Sequence, residues 1–522
     1  MRSVETVLAL VVLATLVATF ARRWRVPAPS LLVVAGLAVA LLPGTPQIEI
    51  NPGIIGLVVL PPLLYASAEE LSWRELRAVW KPVGVLSTGL VLASAAAVAW
   101  VASLVTPLSW PTAFVLGAVL ASTDPVAVTA LGRRLALPPR VQVLVQAESL
   151  FNDATSLVLF RVAVSIAVAT AAVGQGAAGE EFLLLAGGGT VIGAAVATVV
   201  ALIRRRTEDP VLETVIALVT PYAAYVLAEG AHTSGVTSVV VAGVVLGGRG
   251  DRLTNARIRL QLHAVYGTVV FLLESVVFSL IGLALPAQVR ALSDADRAWP
   301  LYALAVAGTL VAVRLLWLVP LSAVVQRESG TSRMNWRVPV VLTWAGTRGV
   351  VPLVAALSVP ESLAGRPLIL VLTTSVVVVT LVVQGFSLAS VVRRSGIALE
   401  PAHTEREEAS ARCRLAGAGL GRLDELSELE AVPDVVLDRL RRGLTARLDD
   451  ARDRLAEPAD DSAGTITGTE SADVVYRQLR RDLIAVESAE LQTLYDEHLI
   501  SDTTRRRLQR SLDLEEARLA DA

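Results

Sequence analysis

The sequence predicts an all-α polytopic membrane protein of about 13 transmembrane helices, followed by a soluble helical C-terminal tail. Three observations carry this. The chain of 522 residues is 54% hydrophobic with a mean hydropathy of +0.60, more apolar than a soluble enzyme of this length and without its amphipathic patterning. Many segments are apolar on every face for about 20 residues, the length that crosses a hydrocarbon core. The basic residues are distributed unequally between alternate loops. Cys413 is the single cysteine, so no disulfide framework forms within the chain. The net charge of −2 says little because the charges are segregated, and nothing points to a resident metal centre, a cofactor or nucleic-acid binding.

The spans follow in order near 4–21, 28–43, 53–68, 83–106, 111–131, 141–171, 182–203, 210–229, 234–248, 264–286, 299–325, 337–358 and 367–392. The first is read as a retained helix rather than a signal peptide. Only Arg2 and Glu5 precede or open it, and the basic cluster Arg22, Arg23 and Arg25 follows it. Pro125 and Pro352 interrupt the fifth and twelfth spans. Loops after odd-numbered spans hold about nineteen basic residues, against Arg290, Arg297 and Arg366 after even-numbered ones. This bias places the N-terminus outside and the C-terminus in the cytoplasm, in a multi-pass protein of the cell inner (plasma) membrane. After Arg394 the composition turns charged and helix-prone. Residues 398–522 are read as a cytoplasmic helical tail with a polar linker at 460–471, either a solvated or dimer-assisting appendage or a regulatory domain.

Within the sixth span, residues 148–156 read ESLFNDATS. Glu148, Ser149, Asn152 and Asp153 fall on one broad helix face, which cannot look at lipid. The preceding STDPVAV (122–128) supplies a partner. Pro125 disfavours helix at Asp124, so the backbone breaks at Thr123–Asp124 and frees carbonyls. Unwound backbone at this depth lines a cavity or is buried in protein, and broken helices coordinate ions in secondary transporters. Asp153, Asp124, Ser149 and the Thr123 carbonyl form a set of hard oxygens suited to Na⁺ or Li⁺. Asn152, uncharged, ties the helix to the unwound segment. Desolvation penalises the bare carboxylate, so a cation and a proton compete for it. GTRGVVP (346–352) weakens the twelfth span and carries Arg348, a cation that needs an anion. Glu148 has no other evident task, so a structural Glu148–Arg348 pair is expected.

TDPVAV (123–128), ESLFNDATS (148–156), SGVTSVVVAG (234–243) and GTRGVVP (346–352) resemble the bacterial monovalent cation:proton antiporter-1 family, relatives of the animal sodium/proton exchangers. PPLLYAS (61–67), FLLESVVFSLIGL (271–283) and VVQGFSLASVVRRSGI (382–397) extend the resemblance over roughly 1–397. It implies a 13-span inverted-repeat antiporter fold with unwound crossing helices, and a homodimer. Core spans near 83–171 and 299–392 would move against dimerisation spans near 4–68 and 182–286. It implies ion and proton binding by Asp153, coordination by Asp124, Thr123 and Ser149, Asn152 as partner of Asp153, and Glu148 with Arg348 as an ion pair. An Asn-Asp pair is associated in this family with electroneutral exchange. Many relatives carry an acid after the LPP motif, where this chain has Ala66 with Glu69 and Glu70 nearby.

Other polar residues admit two readings each. Glu274 matches a family acid and serves either the ion path or structural hydrogen bonding. Arg314 and Arg161 read as structural cations. Glu213 and Glu229 read as interfacial, and His232 and His263 as loop-edge residues. The Trp residues read as interface anchors. The leading function is Na⁺(Li⁺)/H⁺ antiport, with monovalent cations, protons and lipid as partners. K⁺/H⁺ antiport by the same mechanism and sodium-coupled solute symport are the alternatives. A cation channel would need rings of oligomer residues, and an intramembrane aspartyl protease would need its membrane aspartates in a GxGD signature, whereas the one such stretch, GRGD at 248–251, contains neither Asp124 nor Asp153.

Overall fold

The computed structural model describes residues 2–24, 26–43, 52–71, 73–124, 139–168, 175–207, 209–248, 256–293, 296–328, 336–396, 401–429 and 434–456, with isolated positions up to 515. It divides into two compact units, Met1–Pro401 and Ala402–Ala522. Pro125 and the polar linker 460–471 lie outside the described residues.

The first unit is a helical bundle. Its elements are α1 (Arg2–Trp24), α2 (Ala28–Ala40), α3 (Pro52–Val58), α4 (Leu60–Glu69), α5 (Trp73–Gly84), α6 (Val91–Val105) and α7 (Trp110–Leu120). They continue with α8 (Pro139–Val168), α9 (Gln175–Arg204), α10 (Pro210–Gly230), α11 (Gly235–Gly247), α12 (Ala256–Arg290) and α13 (Trp299–Glu328). The last are α14 (Arg337–Trp344), α15 (Val350–Leu357), α16 (Arg366–Val379) and α17 (Gly385–Ser395). Each expected span thus contains helix, and the fifth and twelfth also contain non-helical stretches. Among the described residues, seven helices are long and apolar enough to cross a membrane, and five shorter apolar helices accompany them.

Local chemistry explains the starts and stops. Asp209 caps α10, its carboxylate accepting from Val211 and Leu212 N–H, with Pro210 at the first helical position. Ser234 caps α11 by accepting from Thr237 N–H. Among the described residues, two spans contain π-helical turns, Val85–Leu90 between α5 and α6 and Thr380–Gln384 between α16 and α17. The second presents the Leu381 carbonyl to Ser30 Oγ on α2 at 2.7 Å, so a backbone irregularity at membrane depth is satisfied by a neighbouring helix.

Small residues let backbones touch. Gly36 on α2 lies against the Ser279 carbonyl, and Gly282 on α12 against the Val33 carbonyl, so any Cβ at either would collide with backbone. Buried apolar residues of α6, α7, α8, α13, α15 and α16 form one cluster, and α4, α9, α10, α11 and α12 contribute to another. In the second, Arg204 and Glu213 are 1% and 0% exposed and pair at 2.6 Å (Nε to Oε2), with Thr207 Oγ1 also donating to Glu213. This corrects the interfacial reading of Glu213. The short turn from α9 to α10 folds the arginine back over the first turn of the next helix. Glu229 likewise pairs with Arg161 and accepts from Gly235 N–H. His232 and His263 are exposed.

In the second unit, α18 (Pro401–Leu429) and α19 (Asp434–Ala456) are charged helices. They are joined by Arg441 Nη2 to Asp424 Oδ1 at 2.6 Å, and Leu444 packs on Gly419.

Candidate functional site

The fifth span stops as helix at Leu120, and Ser122, Thr123 and Asp124 continue in non-helical backbone. The twelfth is broken from Ala345 to Gly349, between α14 and α15. Pro352 does not make this break. It lies in the first turn of α15, where its missing N–H would have had no intrahelical acceptor. The two unwound segments meet as an isolated antiparallel bridge between Asp124 and Thr347. Asp124 N–H donates to the Thr347 carbonyl at 2.8 Å, and Thr347 Oγ1 donates to the Asp124 carbonyl at 2.7 Å.

The sixth-span helix α8 holds one of these segments with three polar residues. Ser149 Oγ donates to the Thr123 carbonyl at 2.5 Å. Asn152 uses both ends of its amide, Nδ2 donating to Thr123 Oγ1 at 2.5 Å and Oδ1 accepting from Thr123 N–H at 3.3 Å. Ser156 Oγ donates to the Ala118 carbonyl at 2.6 Å, a contact the sequence reading did not anticipate. Positions 149, 152 and 156 share one helix face.

Asp153 sits beside this seam, buried at 8% exposure. It makes no ion pair among the described residues. The Asp124 carboxylate and the Arg348 guanidinium act on it electrostatically from further away, and Ser122 lies beside it. The Asp124 side chain abuts Gly349, the residue that caps the N-terminus of α15, and a Cβ at Gly349 would overlap it. The partial positive charge of that helix end suits a carboxylate. Glu274 on α12 is within electrostatic reach of Asp124.

The expected Glu148–Arg348 pair is not formed. Glu148 is bound instead by Arg314 of α13 in a two-pronged pair, Nη1 to Oε1 at 2.5 Å and Nη2 to Oε2 at 2.9 Å, with Arg314 Nε donating to the Leu342 carbonyl at 3.0 Å. Gly346 leaves the room, since a Cβ there would meet the Arg314 guanidinium. Arg348 turns to the carbonyls that the breaks release. Its Nε donates to Leu120 O at 2.8 Å and its Nη1 to Gly346 O at 2.7 Å, while Thr380 Oγ1 accepts from its N–H at 3.2 Å. A planar cation at the C-terminal ends of two broken helices offsets both their orphan carbonyls and their dipoles. Arg348 is thus a cap for the crossing, and Arg314 carries the ion pair.

A membrane bundle in which two broken helices cross beside a buried, ion-pair-free carboxylate has the architecture of a secondary ion transporter. The comparisons agree. Residues 9–394 match the model of the family described as sodium/hydrogen exchanger, transmembrane, and the chain belongs to this family. An uncharacterised Na⁺/H⁺ exchanger of Mycobacterium tuberculosis is 35% identical, with 99% of this chain and 97% of that protein covered. The low-affinity Na⁺/H⁺ antiporter NhaS1 of Synechocystis is 32% identical over 82% of this chain and 80% of its own. A sodium, potassium, lithium and rubidium/H⁺ antiporter of Bacillus pumilus is 30% identical over 68% of this chain and 56% of its own. The solved sodium proton antiporter MjNhaP1 of Methanocaldococcus jannaschii shares the fold, with a TM-score of 0.60 at 20% identity, covering 77% of this chain and 98% of that one.

Proposed function

We propose that the chain is a Na⁺(Li⁺)/H⁺ antiporter in which Asp153 binds the cation and the proton in turn and exchanges them one for one. Family membership supports cation/proton antiport, and the observation that carries the residue assignment is the buried Asp153 carboxylate, which has no counter-cation bound to it among the described residues. A bare carboxylate is costly to carry through a dry barrier, whereas its proton-loaded and cation-loaded forms are neutral. Ser149, the Thr123 carbonyl and Asp124 supply further hard oxygens around the cation, and Asn152 holds the unwound backbone in register for them. Glu148 with Arg314 and the Arg348 cap keep the crossing rigid.

The six-helix apolar cluster supports reading spans near 83–171 and 299–392 as a core body. That body moves against dimerisation spans near 4–68 and 182–286 in a homodimer, in a cell inner membrane with the N-terminus outside and the C-terminus in the cytoplasm. Glu274 stands on the ion path, supported by its reach to Asp124. The tail 398–522 is a helical appendage that is either solvated and dimer-assisting or regulatory. K⁺/H⁺ antiport is the second reading, favoured by the broad cation range in the name of the Bacillus pumilus relative.

Purified protein in liposomes under voltage clamp tests this. Cation-driven proton movement that does not depend on voltage and disappears in Asp153→Asn is expected. Exchange that persists in Asp153→Asn removes Asp153 from the role.

A further inference from the structure

Ser122 lies in the non-helical stretch that joins α7 to Thr123. It is buried at 0% exposure, and its hydroxyl closes no hydrogen bond of ordinary geometry among the described residues. That hydroxyl sits beside the Asp153 carboxylate without closing a hydrogen bond of good geometry. The other hydroxyls of this wall are committed. Ser149 donates to Thr123 O, Ser156 to Ala118 O and Thr347 to Asp124 O, and Thr123 accepts from Asn152. A serine within a helix would return its proton to a carbonyl one turn back, but Ser122 stands past the helix end. Buried hydroxyls without partners are rare in folded proteins, and each calls for a missing water, ion or ligand.

We infer that Ser122 Oγ is a further ligand of the transported cation and a determinant of which cation is chosen. The inference rests on Asp153 being the carboxylate that takes the cation. A hydroxyl is a hard, neutral oxygen, so it completes the coordination without changing the charge of the loaded site. The attraction between a cation and an oxygen falls with their separation. Losing one oxygen therefore penalises Li⁺ and Na⁺ more than the larger K⁺.

The experiment measures exchange in liposomes as a function of Li⁺, Na⁺ and K⁺ concentration. Ser122→Ala raises the apparent KM for Li⁺ and Na⁺ about tenfold or more, the scale of one contact to a charged group. It raises that for K⁺ less. Ser122→Thr, which keeps the hydroxyl, restores the original preference. Ser122→Cys conserves volume and replaces a hard oxygen with a soft sulfur. It shifts preference toward K⁺ as well, and carries the test should the alanine variant not fold. Unchanged KM values, or an equal rise for all three cations, overturn the inference. Asp153→Asn run beside it separates the two ideas. A silent Asp153→Asn with an unshifted Ser122→Ala sinks Ser122 alone, while an active Asp153→Asn sinks the assignment beneath it.

Discussion

Removing the Arg314 guanidinium tests the architecture of the crossing. Glu148 is 1% exposed, and Arg314 satisfies both of its oxygens. Arg314→Met keeps most of the side-chain volume but leaves a buried carboxylate unpaired, which costs about 3–5 kcal/mol. Replacing Glu148 with Gln as well removes the stranded charge and recovers part of the loss. The coupling between the two positions is then on the order of 2–3 kcal/mol. Arg348 differs. Its guanidinium binds two neutral carbonyls, so Arg348→Met costs about 1–3 kcal/mol for the acceptors left buried. Its coupling to Glu148 is smaller than that of Arg314, because it makes no hydrogen bond with Glu148 and acts on it only through its charge. Reversible denaturant titration in mixed micelles measures all three single variants and both doubles. A coupling between Glu148 and Arg348 equal to or larger than that between Glu148 and Arg314 would refute the assigned pairing.

Three further outcomes follow from named contacts. Gly349→Ala displaces the Asp124 carboxylate that abuts it, so exchange falls by an order of magnitude or more while the protein still elutes as a folded species in gel filtration; wild-type exchange would show that Asp124 tolerates another position. Arg204→Ala strands Glu213, which is 0% exposed, and lowers stability by about 3–5 kcal/mol, yet leaves the apparent KM for Na⁺ unchanged because the pair lies outside the crossing; a raised KM with normal stability would contradict this. Truncation after Gly396 leaves cation/proton exchange intact and shifts its pH or calcium profile, and an identical profile would leave the tail without a regulatory role.

Much of the fold was legible because lipid imposes a simple rule. A span must be apolar for about 20 residues, so the apolar helices of the bundle show in the sequence, and so do the polar residues that break the rule; the charged α5 (Trp73–Gly84), between the third and fourth expected spans, does not. Asn152 could be assigned a tethering task from its missing charge alone. What the sequence could not settle was pairing at long range. Arg161, Arg314 and Arg348 are all cations in apolar segments, and nothing local tells which of them meets Glu148, 166 residues from Arg314. The clue lay in Gly346 and in the breaks themselves. Released carbonyls need donors, and Arg348 stands in one of the breaks. Glu213 was misread because a helix's first turn is usually solvated, and only the folded turn reveals Arg204 above it. Ser122 escaped notice because a serine in an apolar run normally hydrogen-bonds its own helix. Its position past the helix end becomes visible only once Leu120 is known to close α7.

The most direct measurement of the central claim is proton release on cation binding by the purified protein in weakly buffered detergent solution, followed with a pH dye. Competition at Asp153 predicts that Na⁺ or Li⁺ expels a proton for each cation bound, and that Asp153→Asn neither binds the cation nor releases a proton. Saturable cation binding with no proton released would contradict the claim that one carboxylate serves both ions.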